Sequence, residues 1–200
     1  MISVRNYEYL KNTYGEYSSW ALWKLPINAT SKDQIDDLSI FDDENICEEL
    51  NDKYVFVGLN ASEQQTTNAK WRCFHSDDIK KQNDYKLRYA LKDTKYWGSY
   101  ITDIIKGLRL TKSETVEKYI KNNPEYLQKN VNMFLDEINH ISEKPILVAM
   151  GDAVYKLLKS IPELKKYKIL KIMHYAYRYD GYSHNPIKYR KKVEEQLKEI

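Results

Sequence analysis

The chain has 200 residues, 42% of them apolar and 30% charged, and a formal charge of +3. That balance suffices for one hydrophobic core without disulfides or a structural metal, and residues 1–200 are expected to form a single domain. Cys47 and Cys73 stand outside any C-x-x-C pattern, which argues against a disulfide framework and four-cysteine zinc or iron–sulfur sites, and no apolar run approaches the ~18 residues of a membrane span. With no apolar signal region in Met1 to Leu10, the expected setting is a reducing cytoplasm with no membrane contact.

Taken in chain order, Trp20, Leu22 and Trp23 form a compact apolar patch that reads as a core anchor. The acidic stretch Asp33 to Asp52 contains Ile46, Cys47 and Leu50 at spacing that suits a short helix. Tyr54 to Val57, bounded by Gly58, reads as a first buried strand, and the polar residues at its carboxyl end, Asn60 above all, fall where α/β folds place their ligands. A polar loop from Glu63 to Lys70 follows, then Trp71 to His75, whose two aromatics, Trp71 and Phe74, stand where a substrate ring could stack, a packed loop being the alternative.

Tyr85 to Leu91 reads as a helix and Tyr100 to Ile105 as a second strand. Thr111 and Glu114 have the form of a capping box, ahead of a long amphipathic helix carrying Leu127, Val131, Phe134, Leu135, Ile138 and Ile141. A third strand, Ile146 to Gly151, leads to a helix that Asp152 can cap; a fourth, Ile169 to His174, ends on an imidazole. Asn185-Pro186 starts a last helix with Tyr189, Val193, Leu197 and Ile200 on one face. The alternation predicts an α/β fold, a three-layer α/β/α sandwich around a mostly parallel four-stranded sheet.

The sequence lacks G-x-G-x-x-G, a Walker phosphate loop, G-x-S-x-G and H-E-x-x-H, and its four histidines have no ligand-like spacing. What remains is an amide, Asn60, and an imidazole, His174, at the ends of two strands. Lys165 to Lys192 interleaves Lys and Arg with Tyr167, Tyr175, Tyr177, Tyr179, Tyr182 and Tyr189, a mixture suited to phosphate contact and base stacking.

Gly58-Leu59-Asn60-Ala61-Ser62 resembles the first motif of the uracil-DNA glycosylase superfamily, closest to its mismatch-specific branch. Phe74-His75 with Asn83 to Leu87 resembles the base-stacking segment and following helix of that branch, Tyr100 to Lys106 its second strand, and Val148 to Tyr155 its third strand and helix start. Ile172 to Tyr177 occupies the place of its second motif. Ala61 stands where the family usually has proline, and Tyr175-Ala176 replaces the pair that commonly follows the second-motif residue.

The resemblance implies a strand order of 2-1-3-4 and removal of uracil or a related damaged or mismatched base from double- or single-stranded DNA, with no metal or nucleotide cofactor. Asn60 would hold the attacking water or face the sugar and His174 would donate to the departing base, while Gly58, Leu59, Ala61, Ser62, Phe74 and Tyr175 would line the base pocket. Tyr177, Arg178, Tyr179 and Tyr182 would touch DNA as a wedge near the groove. Two other readings stand beside this one: a nucleic-acid-binding member of the fold without catalysis, and a hydrolase of small nucleosides.

Overall fold

The computed structural model describes residues 1–61, 69–78 and 83–198. Strand β1 (Ser18–Trp20) follows helix α1 (Val4–Tyr14), whose N-cap Ser3 accepts a hydrogen bond from the Asn6 N–H at 3.2 Å. The short helix α2 (Ile46–Glu49) leads into β2 (Asn51–Asn60), and α3 (Asp84–Leu91) precedes β3 (Ser99–Ile105). Then come α4 (Ser113–Asn122), α5 (Pro124–Asn139), β4 (Ile146–Met150), α6 (Asp152–Ser160), β5 (Ile169–Ile172) and α7 (Pro186–Lys198).

The sheet is five-stranded and mixed, in the order β1-β3-β2-β4-β5. This corrects the expectation of four strands in the order 2-1-3-4: β2, β3, β4 and β5 run parallel, and β1 adds an antiparallel edge by pairing Ser18 with Thr102 and Trp20 with Tyr100. β1 has only three residues, two of them serines, so it carries no apolar run of the kind that marks its neighbours.

Period-two alternation divides the sheet into two faces, each covered by helices. Val55, Val57, Tyr100, Leu147 and Ala149 pack with Leu10 of α1, Phe134 and Ile138 of α5 and Leu158 of α6. Phe56, Ile101, Val148 and Met150 pack with Leu87 and Leu91 of α3 and Tyr189 and Val193 of α7, and Trp23 joins this second core.

Local details also differ from expectation. Pro124 opens α5 as a helix distinct from α4, and α4 begins at Ser113 with no side-chain cap, so Thr111 and Glu114 form no capping box. Asp152 lies inside α6 rather than capping it and pairs with Lys171 at 2.7 Å; Gly151, at φ 103°, holds the cap position. Asn185 does start α7, its Oδ1 accepting the Lys188 N–H at 2.9 Å. The expectation for Ile200 falls outside the described residues.

Candidate active site at the carboxyl ends of the strands

The register of β2 against β3 sets Gly58 beside Asp103. A Cβ on Gly58 would collide with Asp103 Oδ1, so glycine is what lets this carboxyl lie across β2. Asp103 is 7% exposed and, among the described residues, takes no side-chain hydrogen bond. Burial pushes its carboxyl up to about 7, opposed by the charge of Lys106 and reinforced by Glu137.

A second buried acid lies at the first turn of α3. Asp84 accepts the Ser76 N–H at 2.9 Å, and burial raises its carboxyl to about 6 against the lowering influence of that bond and of the nearby Tyr175 hydroxyl. Tyr175 senses both acids: burial, then the charges of Asp84 and Asp103, push its hydroxyl well above the usual range. Its ring meets that of Phe74 edge-on at 6.5 Å and stacks on His174 at 4.5 Å. Phe74 adopts φ 64°, uncommon for a bulky residue, and the Trp23 indole N–H holds its carbonyl at 3.1 Å.

His174 lies two residues past the end of β5, half-buried, with its Nδ1 accepting the Ala176 N–H at 3.0 Å. Burial, helped by the Lys86 charge, lowers its imidazole to about 4. At neutral pH the ring is therefore uncharged, and the occupied Nδ1 puts its one proton on Nε2, a neutral donor.

Asn60 is engaged differently from expectation. Its Nδ2 donates to the carbonyls of Ala61 (2.9 Å), Leu108 (3.0 Å) and Leu110 (2.8 Å), which ties the end of β2 to the loop after β3. Oδ1 is left as the atom able to meet a water or a sugar. Asn60 and His174 both follow parallel strands, with β4 lying between β2 and β5, and among the described residues no hydrogen bond joins them. Leu59 packs against the first core, on the face opposite Asp103, and Ser62 falls outside the described residues.

The tyrosine loop beyond His174 is held from beneath by Lys86. This lysine is fully buried on α3, and its Nζ donates to the carbonyls of Tyr177 (3.1 Å) and Tyr182 (3.2 Å); burial, with the charge of Arg178, lowers its ammonium to about 8. Tyr177 meets Tyr179 and Tyr182 at ring distances of 5.6 and 5.9 Å, and Tyr179 is 75% exposed. Arg178 is exposed beside it.

Asp103, Asp84 and Lys86 were not singled out by the sequence. One signal was present for Asp103, a carboxylate inside a strand whose every residue is buried. Among the described residues no group of three His, Cys, Asp or Glu side chains is arranged to hold a metal ion. Two cavities of about 320 and 310 Å³ lie elsewhere, one around Asn51 to Tyr54 at the amino end of β2 and one between the carboxyl ends of α3 and α7. No helix of the described residues is long and apolar enough to cross a membrane. In comparisons with known proteins, the chain matches no family model, no curated protein and no solved structure.

Proposed function

We propose that the chain hydrolyses the N-glycosidic bond of uracil or a related damaged or mismatched base in DNA. The observation that carries this reading is the setting of His174, stacked on Tyr175 with its Nδ1 taken by the Ala176 N–H, which together with the lowering of its imidazole by burial leaves Nε2–H as a neutral donor. When a glycosidic bond breaks, its electron pair moves onto the base and negative charge gathers on the ring oxygens. A preorganised neutral donor stabilises that charge without giving up its proton. Phe74 and Tyr175 offer aromatic surface to a base turned out of the stack, and the loop bearing Tyr177, Arg178, Tyr179 and Tyr182 offers rings and positive charge to the strand it leaves.

A second reading, binding without catalysis, is favoured by the engagement of the Asn60 amide nitrogen with three loop carbonyls, which gives that side chain a structural task.

One experiment separates the two. Oligonucleotides containing uracil, hypoxanthine, xanthine or mismatched thymine are incubated with the protein and scored for alkali-labile abasic sites. Abasic product from any of them, reduced on the order of a hundredfold in His174→Ala, supports the glycosylase. DNA binding that weakens steeply with salt but yields no abasic product supports the binding reading. Release of base from free nucleosides and not from DNA defeats both.

A further inference from the structure

Resting on the glycosylase reading above, we propose that Asp103 is the general base that takes the proton from the attacking water. Three observations converge on it. Its carboxyl occupies the space that a side chain at position 58 would fill, so the strand beneath is kept bare for it. It is more than nine-tenths buried, yet no hydrogen bond from a described residue reaches it, leaving its lone pairs to whatever enters the site. The register sets it beside Gly58, two residues before Asn60, so the acid lies at the same carboxyl end of β2 and β3 as the proposed site, and its charge is among the influences, after burial and Asp84, that raise the Tyr175 hydroxyl.

The charged and titratable groups around it are Lys106, whose Nζ bonds the Asp103 carbonyl oxygen at 2.8 Å, Glu137 of α5, and Tyr175. Lys106 is itself paired to Glu137 at 2.7 Å, so its charge is mostly answered there. What remains is a carboxyl that ionises near neutrality, where a base is both present and strong enough to accept a proton.

The step balances as follows. The water oxygen forms a bond to C1′ while the C1′–N bond breaks and its electron pair leaves with the base. Asp103 takes one water proton, and His174 Nε2–H holds the charge on the base. The proton on Asp103 then passes to the departed base or to solvent, restoring the carboxylate.

The test is single-turnover excision between pH 5 and 9 on an oligonucleotide that the wild type cleaves. The expected wild-type rate falls about tenfold per pH unit below about 7 and levels off above it. Asp103→Asn is expected to lose on the order of a hundredfold at pH 8, to lose that acid limb, and to bind the same DNA within a few-fold. Should Asp103→Asn fail to fold, Asp103→Ala is assayed with added formate, and recovery of rate with formate concentration is the expected result. Excision by Asp103→Asn within threefold of wild type, an unchanged acid limb, or no rescue of a folded Asp103→Ala overturns the assignment while leaving the glycosylase reading intact. A wild type that cleaves no oligonucleotide overturns the reading and the assignment with it.

Discussion

Two buried acids flank β3, one on each face, and the fold treats them in opposite ways. Glu137 takes the Tyr100 and Thr102 hydroxyls on Oε1, each at 2.8 Å, and Lys106 on Oε2 at 2.7 Å. The Tyr100 hydroxyl also lies 2.7 Å from Ser18 Oγ of the edge strand. Asp103, on the other face, has a bare glycine beneath it and no described donor. A charge surrounded by partners holds elements together; a charge buried without them costs stability and persists where something outside the fold makes use of it.

The comparison breaks most visibly at Glu137. Glu137→Ala strands Lys106 in the core and is expected to destabilise the protein by about 3–5 kcal/mol, read from urea unfolding. Asp103→Asn, by contrast, should leave stability at pH 8 unchanged or higher. A loss as large as that of Glu137→Ala would put Asp103 among the structural acids.

The pH dependence of unfolding sharpens the same point. Asp103 is raised from 3.8 to about 7 in the fold, so the folded state binds more protons than the unfolded state in that interval. Its favourable contribution is full below about pH 4 and is lost as pH rises to about 7, a cost on the order of 4 kcal/mol as an upper bound. Asp84 acts in the same sense up to about pH 6. His75, buried between the Leu22 and Cys73 carbonyls, and His174 act in the opposite sense, because both imidazoles are lowered from 6.5 to about 4, and their contribution is lost as pH falls through that interval. Denaturation midpoints of wild type and Asp103→Asn should therefore diverge between pH 4 and 7 and run parallel above it. Parallel curves throughout would show that the carboxyl is solvated after all.

Smaller effects are expected at the edges of the site. Phe74→Ala should weaken binding of a cleavable oligonucleotide by ~1–3 kcal/mol, the scale of one lost stacking contact, with a smaller change in unfolding. Lys86→Met leaves the Tyr177 and Tyr182 carbonyls without their donor. It should speed amide exchange across 177–182 and weaken DNA binding several-fold, on the scale of about 1–2 kcal/mol. Unchanged exchange there would mean that the loop is held by its own turns.

The strands and helices that carry the core were legible from their apolar pattern: a continuous run, Tyr54 to Val57, on β2, and residues one turn apart, Tyr189 and Val193, on α7. β1 was not, since Ser18 and Ser19 are buried through polar contacts, one to the Tyr100 hydroxyl and one to the Trp71 carbonyl. Thr111 and Glu114 had the right letters for a cap, but the chain enters α4 later.

At the candidate site, His174 was read from its place at a strand end and Phe74 and Tyr175 through the family resemblance, and the structure brings their rings together. Asp103 was not, because its meaning lies in the register that sets it against Gly58, and register is a property of two strands at once. The threefold engagement of Asn60 was hidden for the same reason, as its partners lie 48 and 50 residues away.

The contact between Gly58 and Asp103 also gives a direction to evolutionary drift. A lineage can lose the acid and keep the glycine at little cost, because a shorter or uncharged side chain at 103 fits over a bare strand. In the reverse order, a Cβ gained at 58 while the carboxyl remains forces that carboxyl out of its place across β2. Among descendants of this chain, a larger residue at position 58 is therefore expected chiefly where the residue at 103 has shortened or has turned its carboxyl off β2.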